Sequence, residues 1–135
     1  MGQQQLLLIV LGVIVVGIAV VVGINLFNAN AVSANRDGVV SDLNNLGAMA
    51  QQHYKKPISM GGGGNTFTGA SANPVQPFTI PPQLISTANG SYTATIQTGQ
   101  VTIVGTGREI GNDGTDSVKV TATVLPSTIS VQVNN

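Results

Sequence analysis

Residues 6–24 read LLLIVLGVIVVGIAVVVGI, nineteen positions without a charge, a polar side chain or a proline. At about 1.5 Å per residue a helix of that length spans roughly 28 Å, close to the ~30 Å hydrocarbon core of a bilayer. A helix on the outside of a globular core keeps a polar face, and a core strand is a fraction of this length. Leu26 and Phe27 carry the apolar character past Asn25. A secretory leader is the competing reading. Its apolar core runs about 7–15 residues behind a basic segment, whereas this run is longer and no Lys or Arg precedes it. The stretch reads as a helix that enters lipid.

Beyond it the helical rhythm continues with a different chemistry. Residues 28–54 contain no proline, and Val32, Val39, Leu43, Leu46 and Ala50 recur mostly at threes and fours, the spacing of one apolar stripe. Arg36, Asp37, Asp42, Asn44, Asn45, Gln51 and Gln52 largely fall away from that stripe. Gly38 and Gly47 weaken a helix by up to ~1 kcal/mol each relative to alanine. His53, Lys55 and Lys56 suit the negative end of the helix dipole, and Pro57 stops the helix. The expectation is one helix from Gly2 to about Tyr54, roughly 80 Å long, greasy on all sides at first and amphipathic later.

After Pro57 the composition changes again. Gly61 to Gly64 form a tetraglycine, and Gly, Ser, Thr, Asn and Pro dominate as far as Pro82. This reads as loop with a short strand near Phe78 to Ile80. A period of two then takes over. Tyr92, Ala94 and Ile96 mark a first strand, closed by a turn at Thr98-Gly99. Val101 and Ile103 mark a second, ending near Gly105, with a turn at Gly111 to Gly114. Val118, Val120, Ala122 and Val124 form a third, and Ile129, Val131 and Val133 a fourth. Threonine on the alternate positions suits an antiparallel sheet with one wet face. The dry face needs a cover, and the amphipathic half of the helix is the available one. The fold class is therefore α+β: a long N-terminal helix packed on a small antiparallel sheet. Four segments follow: 1–27, apolar helix; 28–56, amphipathic helix; 57–90, loop region; 91–135, sheet.

Composition narrows the function. The chain has 135 residues, five basic and five acidic, one His and no Cys. Disulfides, thiolate metal sites and cysteine nucleophiles are excluded. A net charge of zero supplies no basic face for a phosphate backbone, so no nucleic acid partner is expected. So little acid–base material points away from an enzyme, and no catalytic residue, cofactor or metal is assigned. The sharper motifs mostly fail. Asn112, Asp113 and Asp116 lack the spacing and terminal glutamate of an EF-hand, and read as a turn with solvated carboxylates. Arg108-Glu109 reads as a surface pair of little energetic value. The tetraglycine leads into no helix and is no phosphate loop. Asn89-Gly90-Ser91 is a formal glycosylation sequon in a loop, making Asn89 a possible acceptor. Five aromatic residues, one of them at the end of the apolar run, give no path for electron conduction.

This layout resembles a type IV pilin or a related pilin-like subunit. An apolar N-terminal segment, a continuous helix to about Tyr54, a glycine-rich loop and an antiparallel sheet cover the whole chain. The resemblance implies a cytoplasmic-membrane pool held by lipid, processing by a prepilin peptidase, and extraction by an assembly machine with an ATPase. It also implies an extracellular homopolymer whose apolar helices pack in the core, serving adhesion, surface attachment or motility. Two departures stand out. The family's usual glutamate at the fifth mature position is replaced, on this numbering, by Gln5 within Gln3-Gln4-Gln5, which accepts a hydrogen bond from an ammonium but forms no ion pair. The family's helix-melting proline in the apolar segment is absent, leaving Gly12, Gly17 and Gly23 as the candidates for local loosening; these glycines also let neighbouring helices approach closely, although their spacings of five and six make no GxxxG face. Gln3, Gln4, Gln5, Gly12, Gly17 and Gly23 are therefore the expected assembly residues. The alternative is a single-pass membrane protein, a minor pilin or pseudopilin among them, displaying a small β-rich binding head. The positive-inside rule, applied to Arg36, Lys55 and Lys56, votes weakly for a cytoplasmic head.

Overall fold

No proline interrupts the first 55 residues, and the chain runs through them as one α-helix, α1 (Gly2–Lys55), 54 residues long. The computed structural model describes residues 2–69 and 76–135. Four strands follow: β1 (Gly90–Ile96), β2 (Val101–Ile110), β3 (Ser117–Val124) and β4 (Ile129–Val133). They pair antiparallel in chain order, β1-β2-β3-β4. The architecture is the α+β arrangement expected, a helix lying across a four-stranded antiparallel sheet.

Alternation along the strands decides which face is dry. Val101 and Ile103 on β2, with Val118, Val120, Ala122 and Val124 on β3, are all buried. They meet Val39, Leu43, Leu46 and Ala50 of α1, and Tyr92, Phe67 and Phe78 close the cluster. The apolar stripe expected in the second half of the helix is thus the one that packs, apart from Val32, which is only half-buried at the edge. Two glycines on β2 set how close the helix comes. A Cβ on Gly105 would lie 2.8 Å from Val39 Cγ1, and one on Gly107 would overlap Asn35 Oδ1. Read as the end of a strand, Gly105 instead lies inside one. β2 continues to Ile110, with a register irregularity between Thr106 and Ile110. Here glycine marks a close approach of helix to sheet.

Residues 78–80, expected as a strand, are not one. Phe78 N–H donates to Phe67 O at 2.8 Å, and Phe67 N–H to Thr98 O at 3.2 Å, two isolated links in place of a ladder. Pro77, Pro81 and Pro82 remove the donors a ladder would use. A 3₁₀ turn at Pro82–Leu84 then leads toward β1.

The tetraglycine closes the helix. Its chain folds back so that Gly63 N–H donates to His53 O at 2.8 Å, Gly64 N–H to Lys56 O at 3.0 Å and Asn65 N–H to Tyr54 O at 2.8 Å. These are carbonyls that a helix end leaves without partners. The close return requires glycine: a Cβ on Gly62 would overlap the Lys56 carbonyl, and one on Gly63 the Thr66 carbonyl oxygen. Replacing Gly63 with alanine is expected to destabilise the head by about 1–3 kcal/mol. Thermal unfolding of the full chain in detergent measures this, and an unchanged midpoint would show that the cap does not need the glycine.

Candidate assembly surface

Every described residue from Gly2 to Asn30 is exposed. Seventeen large apolar side chains between Leu6 and Phe27 are each 53–75% accessible. An 18-residue window in this helix has a mean hydropathy of 3.3, with none of it buried. Soluble monomers rarely leave more than a few hundred Å² of contiguous apolar surface uncovered. Burying seventeen such side chains at about 1.5 kcal/mol each is worth on the order of 25 kcal/mol before any cost of association. By length and composition the first half of α1 could cross a membrane, and its described residues are all exposed.

Of the expected assembly residues, Gln3, Gln4 and Gln5 lie exposed in the first turns of α1, with their side chains fanned over roughly 200° at about 100° per residue. Gly12, Gly17 and Gly23 have no neighbour within 4 Å of where a Cβ would sit. Helical geometry separates them. Gly12 and Gly23, eleven residues apart, fall within about 20° of one another, while Gly17 lies about 140° away from Gly12. They lie on two faces of the helix, one with two glycines and one with a single glycine.

The head is tied to the helix by a polar cluster that the spacing of residues did not reveal. Asp42, expected on the wet side, turns toward the sheet. Its Oδ2 accepts from Tyr92 Oη at 2.6 Å, Thr87 Oγ1 at 2.9 Å and Asn89 Nδ2 at 3.0 Å. Seven residues earlier, Asn35 Nδ2 donates to Asn89 O at 2.8 Å, and Asn35 Oδ1 accepts from the Arg108 and Glu109 backbone N–H groups. Arg108 does not pair with Glu109 as its surface position suggested. Its guanidinium donates to the Thr87 and Ala88 carbonyls at 2.8 and 3.1 Å. Asn89 is held at both ends of its residue, and the Nδ2 that a glycan would take is the atom bonded to Asp42. Glycosylation there requires that bond to open. At the far end Gln51 Nε2 donates to Leu125 O at 3.0 Å. His53 Nε2 lies 2.9 Å from Gln76 O, and its ring sits beside Phe78.

Partial burial pushes the Asp42 carboxyl up, but the bonds from Tyr92, Asn89 and Thr87 outweigh it and hold it below its ordinary range. Burial, then the bond to Asp42, drives the Tyr92 phenol well above its own. No group of three or more His, Cys, Asp or Glu side chains suited to a metal occurs among the described residues. The chain matches no family model, no curated protein and no solved structure. One long apolar N-terminal helix on a small antiparallel sheet is consistent with a pilin-like fold, and that layout stands on architecture alone.

The lowered pKa of Asp42 carries a sign. A carboxylate favoured by the fold stabilises it above the unfolded pKa, and this contribution is lost as pH falls through the folded value. Head stability is therefore expected to hold from neutrality down to about pH 4 and to decline in more acid solution. Asp42→Ala should cost about 1–3 kcal/mol at pH 7 and flatten that acid decline. Unfolding midpoints of both proteins between pH 2 and 7 measure the difference. Parallel curves would place the acid sensitivity elsewhere.

Proposed function

We propose that this chain is the structural subunit of an extracellular type IV pilus-like filament, a helical homopolymer assembled by packing its apolar helices together. The observation that carries this reading is the division of α1. One continuous backbone has a first half whose described residues are all exposed and a second half whose apolar stripe is buried in a small head. A simple anchor needs about 20 apolar residues and then a free choice of linker. Here the apolar segment instead runs rigidly into the core of the head, so the head's position is fixed relative to the surface that packs. A rigid link of this kind lets helix packing in the centre dictate the placement of heads outside.

In the proposed filament the apolar half is buried between subunits and the sheet faces outward. Gln3, Gln4 and Gln5 are assigned to the amine or backbone ends of neighbouring helices, and Gly12, Gly17 and Gly23 to close helix contacts. Before assembly the same surface rests in the cytoplasmic membrane. Leader removal by a prepilin peptidase and extraction by machinery with an ATPase belong to this proposal. Adhesion, surface attachment or motility is the role such a filament serves, with no catalysis assigned to the subunit.

Shearing intact cells and examining the released material by electron microscopy and mass spectrometry tests the reading. The expected result is thin, regular filaments in which this chain is the dominant protein. Recovery of the chain only in the membrane fraction, at low copy number, would replace the filament subunit with an anchored display protein.

A further inference from the structure

Two of the ten charged residues of the head, Lys55 and Lys56, stand apart from the other eight along its length. Contacts between helix and sheet fix the levels: Asn35 bonds to the backbone of Arg108 and Glu109, Val39 faces Gly105, Gly47 faces Val124 and Ile129, and Gln51 reaches Leu125. β2 therefore runs down α1 toward the apolar half, and the β2–β3 loop with Asp113 and Asp116 lies at that lower end. Lys55 and Lys56 stand at the upper end, exposed, about 30 Å from the level of Asn35 by helical rise.

The lower end is mixed in charge with one more carboxylate than cation, and the upper end carries cations. Asp37, Glu109, Asp113 and Asp116 lie toward the lower end with Arg36, Arg108 and Lys119, and the Arg108 guanidinium is occupied by two carbonyls. The upper end carries Lys55 and Lys56 with no carboxylate beside them. Asp113 is committed to its own turn, its Oδ1 accepting from the Thr115 and Asp116 backbone N–H groups. Glu109 and Asp116 are exposed and make no such side-chain bond.

We propose that these ends meet between copies, with Lys55 and Lys56 of one copy facing Glu109 and Asp116 of the copy stacked above it. The contact rests on the filament reading and specifies how its heads are registered. It is head-to-tail, so it repeats without closing and propagates along a filament. Complementary charge steers and aligns such a contact more than it strengthens it, and salt weakens it. Lipid is the other source of negative charge for the two lysines. Lys55 stands about 42 Å along the helix from Phe27, several Debye lengths from a membrane that holds the apolar half.

The test uses the full chain in its own cells. K55E/K56E should lower the yield of sheared filaments about tenfold, and adding E109K/D116K to the same chain should restore it. Thermal unfolding in detergent verifies that the heads of each variant are folded. A second arm uses the absence of cysteine from the chain: filaments of K56C/D116C should give a ladder of disulfide-linked multimers on mild oxidation, and those of K56C alone no more than dimers. Wild-type yield from K55E/K56E, no rescue by folded E109K/D116K, or no ladder from assembled K56C/D116C filaments each overturns the contact while leaving the filament standing. A wild-type chain that releases no filaments removes the filament reading, and the contact with it.

Discussion

The rest of the molecule depends on the continuity of α1. Its backbone hydrogen bonds are satisfied internally along its length, so the chain passes from the exposed apolar half into the head without a loop. The cost of that continuity is borne by side chains. The first half has no polar face to offer water, and the second half has surrendered its apolar stripe to the sheet. Lipid tails and a bundle of identical helices are equally apolar, so hydrophobic transfer alone does not favour one over the other. In the proposed filament, what separates the two environments is close packing between helices, hydrogen bonds at the helix start, and whatever the heads do to each other.

The head is small, and two devices let it hold so long a helix. Glycines at positions 105 and 107 bring sheet and helix close enough for Val39 and Asn35 to seat against β2. The returning tetraglycine takes up the carbonyls at the helix end. Both use the same property of glycine, the lack of a Cβ where another backbone or side chain must pass. The polar clamp of Asn35, Asp42 and Arg108 then ties residues 87–89 to the helix and to the end of β2, beside the turn closed by the Thr87 N–H bond to Gly90 O.

Most of the fold was legible because its signals are periodic. A run of nineteen apolar or glycine residues, a stripe at Val39, Leu43, Leu46 and Ala50, and alternation on four strands each average over several positions, so no single residue decides the reading. Failures came where one residue's partner is distant in sequence. Gly105 resembles a strand terminus until Val39 is placed over it. Phe78 to Ile80 look strand-like until the flanking prolines are seen to leave no ladder. Asp42 sits off the apolar stripe by spacing, yet Tyr92, fifty positions on, turns it inward. The candidate surface was legible as a set of residues, while its division into two glycine faces and the sorting of charge along the head needed the helix and sheet in register.

The attachments between helix and sheet are arranged as a lap joint. Asn35, Asp42 and Gln51 each bond across to the sheet or its loops, spread over about 24 Å of helix, with the apolar seam running between them. A pull directed along the apolar half of α1 loads these attachments side by side, in shear. Separating the head by that route means breaking them together, whereas peeling it from one end would take them singly. The head is mounted to resist force along the axis of its own helix.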